Sequence, residues 1–206
     1  MHNSSFIRVA GSPWVLLSLP LTAALMMALG PGPVRGDDEL FDFVPSGGRT
    51  LMQGVISAGA SQEALDTMAS QNLDAEGWQD WIETNRDTVA GLDALDDFES
   101  RTLAAYLEHV SPMEVAGAAG PELAAALPRD GRDLTMQYCQ SCHIITVTVT
   151  QDRTRSAWLS TLNNPSHVEI DMDETERSLM ADYLVLNAGI PIDLVPPPLR
   201  AGGASY

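Results

Sequence analysis

The feature that most constrains this 206-residue chain is that it repeats itself. Trp81, Glu99, Tyr106 and Leu107 recur as Trp158, Glu176, Tyr183 and Leu184, each 77 residues later. Self-similarity at a fixed period outranks local propensity, because both copies must build the same supersecondary unit. In each copy the tryptophan falls on a segment with helical periodicity, and after a loop comes a second helix. There the glutamate and tyrosine stand two turns apart on one face. Helices are predicted over 61–70, 75–86 and 97–109 in the first copy, and over 132–142, 154–163 and 174–187 in the second. Asp173 with Glu176 forms a capping box in kind at the start of the last helix. Gly189-Ile190-Pro191 stops it. The fold class that follows is mainly α, with two tandem helical domains over 37–114 and 131–193. An Ala/Gly/Pro-rich linker, 115–130, joins them, and a flexible Pro/Gly-rich tail, 194–206, follows. Residues 144–150 alternate and are β-branched, which by propensity alone reads as a strand. With no second strand to pair with, an extended loop is expected there.

The only two cysteines of the chain stand in one run, Cys139-Gln140-Ser141-Cys142-His143. C-x-x-C-H reads as the attachment site of a c-type haem. Thiols three residues apart on one turn can reach the two vinyl groups on one edge of a porphyrin, and the following His143 becomes the proximal iron ligand. A structural zinc site would need four Cys/His ligands, and there is no second cysteine pair. A C-x-x-C redox switch wants a βαβ context, whereas these flanks are helical. The 77-residue shift sets Cys139, Cys142 and His143 opposite Gln62, Leu65 and Asp66, none of which could attach or ligate haem. The first copy therefore reads as a haem-free, degenerate unit, and the second as carrying one covalent haem c. Units of about 75 residues have marginal cores without a staple. Haem would staple the second unit, and the first would lean on its neighbour.

The N-terminus sets the compartment. Residues 1–12 carry Arg8 and no acid, and residues 14–29 are apolar or small without a charge. Small residues at Ala28/Gly30 or Val34/Gly36 suit a cleavage site, so residues 1–36 read as a secretory signal peptide. The alternative is an uncleaved anchor, for which sixteen residues broken by Pro20 are short of the roughly 20 a membrane span needs. Export with covalent haem implies a periplasmic location and no stable membrane span after cleavage. The whole chain carries a net charge of −17 and no lysine; cleavage after Gly36 would leave nine arginines against 28 acids, or −19. Such a surface repels nucleic acid and anionic lipid. Residues 37–112 hold sixteen acids against Arg49, Arg86 and Arg101, while 131–195 hold nine against four arginines. The excess lies away from the haem motif, as a face for a basic partner or as an ordinary acidic surface.

The run from the motif through Gln151, Arg153, Thr154, Trp158, Glu176, Tyr183 and Leu184 resembles a class I c-type cytochrome domain. Across about residues 50–190 it resembles in particular the tandem haem-binding region of the quinohaemoprotein amine dehydrogenase alpha subunit. The likeness to the cytochrome subunits of periplasmic sulfite dehydrogenases is looser. The resemblance implies two cytochrome c-like domains and single-electron transfer, as a soluble carrier or the electron-accepting subunit of a dehydrogenase complex. Two alternatives stay open: a docking or relay subunit whose acidic haem-free domain recruits a redox partner through a basic docking face, and a haem enzyme with an open sixth position. In this family the distal iron ligand comes from the loop before the last helix, which here offers His167 and Met172. Their counterparts in the first copy are Ala90 and Leu95. Arg153 is a candidate for a haem propionate, because its planar fork suits carboxylates. Trp158 is a candidate for packing on the haem. Met180 reads as core, and His109 as an exposed residue favourable to its helix dipole.

Overall fold

The computed structural model describes residues 39–114 and 116–200; the expected signal peptide and the last six residues of the tail lie outside them. All of the described residues belong to one compact unit, 36–206. They are mainly helical, with no strand among them, and none of their helices is long and apolar enough to cross a membrane.

The first half comprises α1 (Gly48–Ser57), α2 (Gln62–Ser70), α3 (Ala75–Asn85) and α4 (Asp97–Val110). No helix is expected over α1, because Gly48 and Gly54 lower its propensity. Its apolar stripe of Leu51, Met52 and Val55 nonetheless buries a full face. Side chains cap the other starts: Ser61 for α2, Asp74 for α3, and Asp96 with Glu99 as a reciprocal capping box for α4. These caps satisfy amides that would otherwise be orphaned at a helix start. The segment expected as a linker contains α5 (Gly120–Ala126), which packs on α1 and buries Leu123.

The second half opens with α6 (Gly131–Leu134), which continues as a π-helical turn over Thr135–Cys139. Residues 146–149, expected as extended loop, form a single helical turn, α7. Its Thr146 hydroxyl donates to Leu199 at 2.8 Å. Then come α8 (Arg155–Leu162), capped by Thr154, and α9 (Glu174–Asn187), which starts on the Asp173–Glu176 capping box. The part of the tail that is described is packed rather than loose. Val195 is fully buried, and Arg200, at the end of the short α10 (Pro197–Arg200), donates back to the carbonyls of Val195 and Asp193.

The repeat has more than one register. Helices α4 and α9 are both fourteen residues long and lie 77 residues apart, down to their capping boxes. The openings of the halves share a second pattern, Pro45-Ser46-Gly47-Gly48-Arg49-Thr50-Leu51 against Pro128-Arg129-Asp130-Gly131-Arg132-Asp133-Leu134, at a spacing of 83. This corrects two pairings made on the 77-residue shift. In the register of the first helices Cys139, Cys142 and His143 face Ile56, Gly59 and Ala60, not Gln62, Leu65 and Asp66. The buried tryptophan four residues after its helix cap is Trp78 in α3 and Trp158 in α8, so Trp78 rather than Trp81 is the counterpart of Trp158.

In each half a glycine of the first helix lies against a tyrosine of the last. A Cβ on Gly48 would stand 2.1 Å from that of Tyr106, and one on Gly131 2.2 Å from that of Tyr183. The two tyrosines then reach across: Tyr106 donates to the Pro128 carbonyl at 2.8 Å and Tyr183 to that of Pro45 at 2.6 Å. Helices α4 and α9 pack together, with the buried amide of Asn187 donating to Thr102 at 3.0 Å. His109, expected to be exposed, closes this seam by meeting Asp182 at 2.8 Å, and Arg155 grips the same carboxylate. Asp130 joins the halves again. It accepts from its own helix at Asp133 N and from the start of α1 at Arg49 N, both at 2.8 Å.

Candidate functional site

A cleft opens in the second half, lined by Tyr138, Cys139, Cys142, His143, Trp158 and His167 together with Ile170, Met172, Met180 and Leu184. Its mostly apolar lining with a few convergent polar groups suits a small-molecule or cofactor site. Five stretches of the second half build it, among them α7 with Thr148 and α9 with Met180 and Leu184. The end of the π-turn brings Cys139, and a tight turn with the amides of Cys142 and His143 returning to the Cys139 carbonyl brings the rest of the motif. Single π-turns widen a helix and are frequent at functional sites. Helix α8 contributes Trp158, Thr161 and Leu162, and the 163–172 loop contributes His167, Ile170 and Met172.

Every residue of the C-x-x-C-H motif that could bond a porphyrin, and both candidate distal ligands, thus line one cavity. Met172 is buried and His167 half-buried. Trp158 lines it too, and its indole N–H is buried without a hydrogen-bond partner. A buried orphan donor of this kind costs about 1–3 kcal/mol until something accepts from it. Trp78, its counterpart, is orphaned as well but packs edge-to-face on Trp81, with centroids 6.0 Å apart. Arg153 is outside the lining. It lies over the Trp158 ring at 5.2 Å and donates to Thr161 at 3.0 Å, with no carboxylate partner among the described residues.

Both cysteines are free thiols. Burial, above all, pushes the Cys139 thiol up to about 11. At neutral pH it is a thiol rather than the thiolate that a redox-active C-x-x-C requires. Among the described residues no three His, Cys, Asp or Glu side chains are gathered as a metal cluster.

In the first half α2 contributes Leu65 and Met68 to the core, where Trp78, Ile82, Leu92 and Leu103 are also fully or almost fully buried. The motif flagged the cysteines and His143, but sequence alone missed Tyr138, Thr148, Leu162, Ile170 and Leu184 in the lining, and missed Arg177 beneath it. The apolar ones carry only the signal of helical periodicity, which does not say which core has a hole.

Compared with known proteins, the chain matches no family model, no characterised protein and no solved structure.

Proposed function

We propose that this chain is an exported, single-haem c-type cytochrome that passes electrons one at a time, as a free carrier or as the electron-accepting subunit of a dehydrogenase. The observation that carries this is the convergence of Cys139, Cys142 and His143 with His167 and Met172 on one apolar cleft. Covalently bound haem supplies a one-electron iron couple whose potential is set by its axial ligands and its burial. The chain's own residues have separable tasks. Cys139 and Cys142 are the residues that would hold the group covalently, and His143 would offer an imidazole to its iron. His167 or Met172, from the loop, would offer a second donor. The orphaned Trp158 N–H and the Arg153 fork stacked on its ring are the donors available to a propionate. The apolar walls, Leu162, Ile170, Met180 and Leu184, keep water from the site.

The first half, in this reading, is a haem-free cytochrome c-like unit. It supports its partner through the seam of α4 and α9. A second reading is favoured by a surface groove on this half, lined by Glu76, Asp80, Glu83 and Asp97 together with Arg86 and Arg101, whose excess of acids suits a basic redox partner. Electron-transfer rates that fall with added salt would support docking through it, and salt-independent rates would remove it.

The test is an optical spectrum of the exported protein, oxidised and reduced, with haem-to-chain stoichiometry by mass. One covalent haem per chain is expected, and it should be lost when Cys139 and Cys142 are both changed to serine. An iron–thioether band assigns Met172, and a low-spin spectrum without it assigns His167. A chain exported alongside a working haem-attachment system that still carries no haem would overturn the proposal.

A further inference from the structure

Arg177 lies in the first turns of α9 with 7 % of its surface exposed, and no carboxylate among the described residues pairs with it. A buried guanidinium without a counter-charge is costly unless its donors are met. Here backbone carbonyls meet them. Arg177 donates to Ile170 at 2.8 Å, to Met172 and Val168 at 3.3 Å, to His167 at 3.5 Å, and to Leu162. Four of those five residues, Leu162, His167, Ile170 and Met172, line the cleft. The loop therefore turns its carbonyls to one cation and presents its side chains to the cavity.

The other half provides the comparison. The residue 77 positions before Arg177 is Ser100, and the equivalent loop is held by Arg86, at the end of α3. Arg86 donates to Leu95 at 2.7 Å, to Leu92 at 3.4 Å and to the Ser100 hydroxyl at 3.0 Å, and it pairs with Glu83. That loop carries Ala90 and Leu95 where the second half has His167 and Met172. The arginine of the first half meets fewer carbonyls and has a counter-charge.

We infer that Arg177 is the positioning residue for the second axial ligand: its fork fixes the 163–172 loop so that His167 and Met172 are delivered to the cleft. This rests on the cytochrome reading for the ligand but not for the loop. The experiment uses the full chain with Arg177→Met and Arg177→Lys. Amide hydrogen exchange over 163–172, measured with or without haem, is expected to quicken roughly tenfold or more relative to α9 in Arg177→Met, because hydrogen bonds from a charged donor would no longer hold the loop against local opening. In the haem-loaded protein, covalent stoichiometry should hold while the spectrum gains a high-spin fraction and added imidazole binds more tightly. Arg177→Lys, which keeps the charge and loses the fork, should show the same changes in smaller degree; it decides the matter alone if the methionine variant does not fold. Leu179→Ala, which weakens α9 without touching the loop, should leave the axial spectrum alone. An unchanged loop in a folded arginine variant, or an equal spectral change in Leu179→Ala, would overturn the inference. A wild-type chain that takes up no haem would sink the cytochrome reading, and the exchange data would still decide this one.

Discussion

The Tyr183 hydroxyl donates to the carbonyl of Pro45 at 2.6 Å, across 138 residues of sequence. Its counterpart, Tyr106 to Pro128, repeats the bond in the opposite sense. Tyr106→Phe and Tyr183→Phe each leave a carbonyl short of its donor and are expected to cost about 1–2 kcal/mol. Urea midpoints for the two variants should fall by similar amounts. A loss confined to one of them would show that the exchange is not energetically reciprocal.

The same phenols report on alkaline stability. Burial above all raises both well above the ordinary tyrosine range. A group with a raised folded pKa stabilises fully below its unfolded pKa, near 10 for tyrosine, and that stability is lost as pH rises beyond it. Ultraviolet titration should therefore show Tyr106 and Tyr183 ionising only together with unfolding. Smooth ionisation of all four tyrosines near pH 10 would contradict it.

Gly131→Ala would put a Cβ 2.2 Å from that of Tyr183 and 2.8 Å from the Leu179 carbonyl, and Gly48→Ala meets Tyr106 in the same way. Overpacking against backbone and a side-chain root is expected to cost at least about 1–3 kcal/mol. Gly54→Ala, in the same helix with nothing within 4 Å of the added methyl, should instead stabilise by about 0.5–1 kcal/mol. Thermal melts on the three variants separate crowding from propensity.

Asp130→Ala removes one cap from α6 and one from α1, each worth about 1 kcal/mol. Burial, as the largest influence, raises the Asp130 carboxyl above its usual range, so the neutral Asp130→Asn should lose less than the alanine variant at pH 7. Equal losses would mean that the charge, and not the paired amides, is what matters.

Asp182 behaves in the opposite way. Burial pushes its carboxyl up, but the hydrogen bonds from His109 and Arg155 outweigh it, and the net shift is downward. A depressed carboxyl stabilises above its unfolded pKa, near 3.9, and that contribution fades as pH falls through the folded value. Asp182→Asn should cost about 1–3 kcal/mol at neutral pH and flatten the acid limb of the stability curve below about pH 4. An unchanged acid limb would rule this seam out as its source.

Much of the helical fold was legible because its starts are written locally. Asp173 with Glu176 announces α9 by spacing alone, and Gly189 marks where α9 ends. What failed was a single repeat register. Loops of unequal length between elements change the offset from 83 at the first helices to 77 at the last, so one shift mispaired Trp81 and the cysteines. Helix α1 escaped notice because two glycines mask its stripe, although Gly-Arg-x-Leu occurs in both halves. Of the site, the C-x-x-C-H run and the two loop candidates, His167 and Met172, were legible as chemistry. Arg177 was not, since its partners are backbone carbonyls, which every residue has and no sequence distinguishes.

The shared cap at Asp130 has a consequence for how the two halves can change. A side chain on Gly47 would overlap the Asp130 carboxylate, with a Cβ only 2.0 Å from Oδ2. One half has given up its own cap and admits the other's. Grafting the second opening onto the first would put two acids into a space for one, and grafting the first onto the second would leave both helices bare. The halves are no longer spare parts for each other: a duplicated plan has become a pair with fixed left and right hands.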